Sequence, residues 1–114
     1  MKYSIWLLAA CCFCFSCSSD SKPPGLLSED EMVSIIVDIH LTEGFVQSLP
    51  IPYDSSKKVY PILEKEIFEK HRVADTVYMA SLQYYLRYPA FMERVYARAI
   101  DSLTVFEKRA ESAK

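Results

Sequence analysis

The residues that could bind a metal or transfer a proton lie close together, as an acid, an imidazole and a second acid at Asp38, His40 and Glu43. In a helix, successive side chains rotate by about 100°, so Asp38 and His40 point roughly 200° apart and cannot coordinate one ion. His40 and Glu43 do share a face. We therefore expect a polar spot formed by His40 and Glu43, with a metal site as the less favoured alternative and no cofactor.

Few other residues suggest catalysis. Lys70 and His71 are expected at the end of a helix, where a cation interacts favourably with the helix dipole. A catalytic His71 would need a nucleophile and an orienting acid, and the sequence indicates neither. With only two glycines, Gly25 and Gly44, the chain has no glycine-rich phosphate loop. An enzyme is the least favoured function, and we predict a non-enzymatic protein.

The four cysteines suggest a different chemistry, because all of them lie at or before Cys17. They follow Lys2 and accompany an apolar run over residues 5–15, ahead of a polar stretch over 18–22. About a dozen apolar residues suit a signal peptide but fall short of the ~20 needed to span a bilayer. The pattern is typical of a bacterial lipoprotein signal, whose processed cysteine thiol receives a diacylglycerol. An ordinary secretory signal or a buried N-terminal helix is the alternative.

Two cysteines compete for the lipid. Cys11 has the better preceding residues but leaves a signal of only about ten residues, against a usual 15–30. Cys17 follows the small Ser16 and gives a sensible signal length. We predict lipidation at Cys17, a signal peptide over residues 1–16 and a lipidated cysteine with a polar tether over 17–27.

Composition limits the remaining possibilities. The chain has 114 residues, enough for one domain, and 51% of them are hydrophobic, which excludes disorder. The formal net charge is −2, and no basic stripe is available for nucleic acid. Signals for export to the cell surface usually carry several acidic residues soon after the lipidated cysteine, and here only Asp20 is available. We therefore expect the protein at the outer membrane, facing the periplasm. Expected partners are the membrane, through the lipid, and other envelope proteins.

Helical periodicity continues from Ser28 onwards. Ser28 and Glu31 form a capping box that opens a first helix over about 29–47, apolar over more than half its circumference. A second helix runs to about His71, and Pro61 suggests that it starts near Tyr60. Asp75 is expected to cap a third helix over 76–88.

Pro89 can open a fourth helix, whose apolar stripe predicts a core face that includes Ile100. Without a convincing strand, the fold predicted is a small all-α bundle of three to four helices. The helical domain should cover 28–108, followed by a C-terminal tail over 109–114.

The third helix is rich in tyrosine. Tyr78 and Tyr85 lie on one face, and Tyr84 and Tyr88 on another. Such a helix either lies at the centre of the bundle or leaves an aromatic face open for a protein, glycan or lipid. The candidate face therefore comprises Tyr78, Tyr84, Tyr85 and Tyr88.

Several of these segments together resemble a family of small lipoproteins from Bacteroidetes-type bacteria, known only as a domain of unknown function. The similarity extends from Leu26 to about Leu103, and departs at Arg72, where the family tends to have glycine, and at Tyr78, where phenylalanine is expected. It implies an envelope lipoprotein with a helical domain and transfers no catalytic residue. The segments that carry it are Asp38-Ile-His-Leu-Thr-Glu43, Tyr60-Pro-Ile-Leu63, Lys70-His71, Ser81-Leu-Gln-Tyr-Tyr85, Pro89 and Val95-Tyr96.

Three function classes follow, each with a structural signature. An accessory or scaffold lipoprotein, which we favour, would leave an apolar helix face open. A binding module for a small hydrophobic ligand or glycan would enclose a pocket lined by tyrosines. An enzyme would cluster titratable groups of perturbed pKa in a cleft.

Overall fold

The computed structural model describes residues 22–114 and contains four helices within that range. They are α1 (Glu29–Ser48), α2 (Tyr53–His71), α3 (Asp75–Tyr85) and α4 (Pro89–Ser112). No strand occurs among these residues, so the predicted all-α bundle is confirmed. The predicted signal peptide and both candidate lipidation sites, Cys11 and Cys17, lie outside the described residues.

The start of α1 follows from its capping box. The Ser28 hydroxyl accepts from the Glu31 backbone N–H at 3.3 Å, and the Glu31 carboxylate accepts from the Ser28 N–H at 2.8 Å. Both bonds satisfy N–H groups that lack a partner within the helix. The capping box predicted from the sequence is therefore confirmed.

Helix α1 is the centre of the bundle, with α2 packed against it on one side and α4 on another. Asp38 pairs with His71 at the end of α2, while Val46 faces the start of α2, so these helices run antiparallel. Arg98 of α4 pairs with Glu29 at the start of α1, and Phe106 lies near the second half of α1, so these two run parallel. The first half of α1 is buried on several sides, through Met32, Val33, Ile35, Ile36 and Val37.

Helix α2 begins earlier than its proline suggests. Its first residue is Tyr53, and the Pro52 carbonyl accepts from the N–H groups of Ser55 and Ser56 at 2.9 and 3.1 Å. Pro61 therefore lies inside the helix, and the expected start near Tyr60 is wrong. A proline there removes one backbone hydrogen bond, but Pro61 is exposed, so water can satisfy the carbonyl left without a donor.

The end of α2 is a left-handed turn at Arg72, with φ 54° and ψ 38°. The Val73 N–H donates to the Phe68 carbonyl at 3.0 Å, and the Arg72 N–H donates to Glu69 at 3.1 Å. This is the Schellman arrangement, in which glycine usually occupies the left-handed position because it has no Cβ to clash. Arg72 therefore adopts a strained left-handed conformation at the position where glycine was expected from the family resemblance.

Helix α3 is shorter than expected. Its N-cap is Ala74, whereas Asp75, the predicted cap, is its first residue and accepts from the Thr76 N–H at 2.7 Å. The helix ends at Tyr85 instead of Tyr88. Tyr88 precedes a proline, which disfavours helical geometry. The expected cap and the expected end are both wrong.

Helix α4 begins at Pro89, as predicted, and continues to Ser112, into the stretch expected as a tail. The expectation that Ile100 lies in the core is wrong, because 60% of this residue is exposed. Helix α4 packs mainly against α1, and one neighbouring helix covers a narrower stripe of α4 than the stripe of apolar residues in its sequence. The buried members of that stripe are Met92, Val95 and Ala99.

Candidate functional site

An aromatic cluster joins the end of α3 to the first turn of α4, and it comprises Tyr84, Tyr85, Tyr88 and Phe91. The Tyr84 ring centroid lies 5.1 Å from that of Tyr88 and 5.3 Å from that of Tyr85. The rings of Tyr85 and Phe91 are stacked, with centroids 3.6 Å apart and an interplanar angle of 11°. Three of the four tyrosines proposed as a partner or ligand surface therefore meet here, although they come from two faces of the helix.

The aromatic cluster is attached to the segment through which the chain enters the domain. The Tyr85 hydroxyl donates to the Leu27 carbonyl at 2.8 Å, and the Leu27 N–H donates to the Ser81 hydroxyl at 3.0 Å. Burial raises the pKa of Tyr85, which keeps its hydroxyl protonated as a donor. Because both backbone groups of Leu27 are bound by side chains of α3, the path of the chain before α1 is fixed against that helix.

Tyr78 does not belong to the aromatic cluster, which corrects the expected four-tyrosine face. It is only 7% exposed, and its ring centroid lies 5.4 Å from that of Phe68. Burial, reinforced by the nearby Tyr96 and Tyr60, raises the pKa of Tyr78 to about 12. The helical rotation of α3 places Tyr78 in the core and Tyr84 at the open cavity, so Tyr78 is not available to a partner.

An open cavity of about 350 Å³ lies against the aromatic cluster. Arg94 lies at its edge, with the guanidinium 5.6 Å from the Phe91 ring centroid and its Nε 3.3 Å from the Glu29 carboxylate. The first described residue, Lys22, lines the same cavity. Two basic side chains thus share a cavity with the aromatic rings at the point where the chain enters the domain.

His40 and Glu43 lie together on α1, with Nδ1 and Oε2 3.1 Å apart and both side chains nearly half-exposed. The contact extends to α2. Burial and the nearby negative charges of Glu64 and Glu43 raise the pKa of Tyr60 to about 12. Glu43 therefore has contacts with two helices, and the arrangement is a polar connection between them.

A second ionic cluster, which the sequence did not reveal, joins the middle of α1 to the end of α2. His71 Nε2 and Lys70 Nζ lie 2.7 and 2.8 Å from the same carboxylate oxygen of Asp38. Both Asp38 and His71 are largely buried, whereas Lys70 is exposed. One usable signal is the position of Asp38 between Val37 and Ile39 on an apolar helix, because a buried carboxylate requires a partner.

The electrostatics of this ionic cluster favour a structural role. Burial alone would raise the pKa of Asp38, but hydrogen bonds from Lys70 and His71, together with the charge on Lys70, hold it below its ordinary value of 3.8. Asp38 therefore stays ionised and acts as an acceptor for both neighbours. Lys70 and His71 are in the last turn of α2, as predicted, and bind the carboxylate of another helix there.

An apolar groove lies between the second halves of α1 and α4, with a volume of about 540 Å³. We call it the distal groove. Leu41 and Phe106, which line it, are 39% and 46% exposed, and Phe45 is also exposed one turn further along α1. Large apolar side chains thus remain in contact with water. The groove is lined by His40, Leu41, Gly44, Leu103, Phe106, Glu107 and Ala110.

Within residues 22–114, no three His, Cys, Asp or Glu side chains come together as a metal-binding group. None of the helices in the same range is both long enough and apolar enough to cross a membrane.

Comparison with known proteins gives one match. A family model, the domain of unknown function DUF4296, matches residues 23–109, which covers all four helices apart from the last turn of α4. No curated protein and no solved structure matches the chain.

Proposed function

The chain belongs to the DUF4296 family, and we propose that it is a non-enzymatic lipoprotein of the outer membrane. In this proposal a lipid on Cys17 anchors the protein, because lipid attachment is the most direct use of a cysteine that follows an apolar run. The helical domain faces the periplasm. The domain acts there as an accessory or scaffold subunit that contacts other envelope proteins.

The distal groove is the observation that carries this proposal. Exposing large apolar side chains costs free energy, about 25 cal/mol for each Å² of apolar surface left in water. Leu41, Phe45 and Phe106 could be replaced by polar residues without opening the core, because each is at least 39% exposed. Leu41 and Phe106 line the groove between the two parallel helices, and Phe45 extends the exposed apolar surface of α1 towards α2. Neighbouring exposed apolar residues of this size are typical of a protein interface.

The shape of the distal groove suits a helix as its occupant. Two parallel helices form its walls, and its lining is apolar along Leu41, Leu103 and Phe106, with the polar side chains of His40 and Glu107 beside them. An amphipathic helix places apolar residues at intervals of three and four positions, which would follow such a groove. We propose that the occupant is an amphipathic helix of another envelope protein.

The alternative function, a binding module for a hydrophobic ligand or a glycan, is less well supported. It requires a concave pocket enclosed by tyrosines, and the tyrosines here divide between the core, at Tyr78, and an open cavity, at Tyr84 and Tyr88. An enzyme is supported least. Two pairs of acid and imidazole meet: Asp38 and His71 bind each other and Lys70 in an ionic cluster between helices, and His40 and Glu43 lie nearly half-exposed on one helix, away from that cluster.

Site-specific photo-crosslinking in native membranes tests the accessory role. A photoreactive phenylalanine at Phe106 would report on the distal groove, and the same residue at the exposed Ile62 of α2 would be the control. We expect one envelope protein to crosslink from position 106 in a fixed ratio, through a helical segment, and not from position 62. Leu41→Glu should abolish that crosslink.

Other outcomes would overturn the proposal. A crosslink to a second copy of the chain would make the distal groove a homodimer interface, and equal crosslinking at positions 106 and 62 would indicate nonspecific contact. The anchor is tested separately with Cys17→Ala, which should release the protein from membranes or leave it unprocessed. Normal maturation and membrane retention of that variant would exclude Cys17 as the lipidated residue.

A further inference from the structure

We propose that the surface around the aromatic cluster rests on the headgroup region of the membrane and orients the domain there. We call it the junction surface, and it consists of Lys22, Tyr84, Leu86, Tyr88, Phe91 and Arg94. This inference rests on the proposed lipid anchor at Cys17, and it adds which side of the domain faces the bilayer.

The length of chain outside the described residues restricts where the junction surface can be. Five residues lead from Cys17 to Lys22, and at ~3.6 Å for each extended residue they span at most about 18 Å. Lys22 lines the same cavity as Tyr84, Tyr88 and Phe91. A lipid on Cys17 therefore brings the junction surface within that distance of the bilayer.

The path of the chain after Lys22 determines the point at which the domain is attached to its anchor. Leu27 is held on α3 by its two backbone hydrogen bonds, with Ser81 and Tyr85. The chain therefore leaves the domain beside the aromatic cluster, and the distal groove lies further along α1. From Leu27 to Leu41 the separation along the helix is about 20 Å.

The composition of the junction surface suits a headgroup region. Tyrosine is favoured there because its ring packs against acyl chains while its hydroxyl stays hydrated. Lys22 supplies a cation for lipid phosphates, and Arg94 adds a guanidinium that is 59% exposed although it also pairs with Glu29. Of the two acids near Tyr85, Glu29 is paired with Arg94 and Arg98, and Glu31 is held in the capping box. Leu86, in the turn between α3 and α4, is 58% exposed and could enter the interface.

Fluorescent labelling of the full-length lipidated protein tests this orientation. Leu86→Cys and Ile62→Cys form a matched pair, since Ile62 is 62% exposed but lies on α2, away from the junction surface. Lipidation at Cys17 consumes the last native thiol of the mature chain, so an environment-sensitive dye would react only at the new cysteine. Each labelled protein is reconstituted in vesicles of phosphatidylethanolamine and phosphatidylglycerol, and brominated lipids serve as quenchers.

The label at position 86 should shift its emission to the blue in vesicles and be quenched several-fold more by brominated lipid than the label at position 62. Vesicle-bound protein with a water-exposed label at position 86, or with equal quenching at both positions, would overturn the orientation while leaving the anchor intact. Mass spectrometry that finds no acyl group on Cys17 would overturn the anchor, and the orientation with it. The native side chains of both variants are exposed, and circular dichroism checks that the helices are retained.

Discussion

The two halves of α1 differ in what surrounds them. The first half has a capping box, five buried apolar residues and a salt bridge from Glu29 to Arg98 of α4. The second half buries Val46 but leaves Leu41 and Phe45 in contact with water. One helix therefore provides the stability of the bundle at one end and an available apolar surface at the other.

Replacing a residue in each half of α1 tests this difference with the largest expected effect. Ile35 is completely buried, so Ile35→Ala should lower the free energy of unfolding by about 2–5 kcal/mol, through lost transfer energy and the cavity left behind. Leu41→Ala should cost much less, because Leu41 already contacts water. Urea denaturation of both variants measures the difference. Equal losses would mean that the second half of α1 is as tightly packed as the first.

The cluster of Asp38, Lys70 and His71 marks the boundary between the two halves. Asp38→Asn should lower the free energy of unfolding by about 1.5–3 kcal/mol at neutral pH, because hydrogen bonds to a charged group are lost. The pKa of Asp38 is lower in the folded state than its ordinary value of 3.8. Its contribution is therefore fully present above pH 3.8 and is lost as the pH falls through the lowered folded value.

Urea denaturation at pH 7 and pH 3 checks this dependence. The difference in stability between the wild-type protein and Asp38→Asn should shrink at the lower pH. The exposed Asp101→Asn of α4 serves as a control for the general effect of removing a carboxylate. A difference that stays constant between the two pH values would exclude an ionised Asp38 as the source of the stabilisation.

The hydrogen bonds of Leu27 contribute to the stable end of α1. Ser81→Ala removes the acceptor of the buried Leu27 N–H, and an unsatisfied buried donor costs about 1–3 kcal/mol. Ser112→Ala is the matched control, because the exposed Ser112 hydroxyl only bonds the Lys108 carbonyl of its own helix. Thermal unfolding should separate the two. A neutral Ser81→Ala would show that water can replace this bond and that the chain is less firmly held on α3.

The sequence predicted the parts of this molecule that depend on local interactions. The capping box at Ser28 and the helix start at Pro89 each follow from a few neighbouring residues, and both are confirmed. The predicted start of α2 was wrong because Pro61 indicates only that a helix is costly there, by about 3 kcal/mol, and the packing of α2 against α1 offsets that cost.

Contacts between distant residues could not be predicted in the same way. Asp38 and His71 are 33 positions apart, and nothing in either segment specifies the other. The apolar pattern of α4 marked Ile100 for the core, but a pattern does not show how wide a stripe the neighbouring helix covers. The distal groove is the result of that incomplete coverage, and for this reason it was predicted only as an open face without a position.

The smallest effect is expected at Arg72, in the joint that holds His71 against the middle of α1. A left-handed conformation costs a residue with a Cβ roughly 1–2 kcal/mol, and glycine avoids this strain but loses more entropy on folding. Arg72→Gly should therefore raise the free energy of unfolding by about 0.5–1 kcal/mol. Gly25 has a φ of 72°, and a Cβ added there would make only an ordinary contact with Val77 Cγ1 at 3.9 Å, so Gly25→Ala should lower stability through backbone strain alone. Thermal unfolding of the two variants measures both signs. If Arg72→Gly lowered the free energy of unfolding, the Arg72 side chain would have to stabilise the joint by more than its backbone strain costs. The boundary between the two halves of α1 would then depend on that side chain as well as on Asp38.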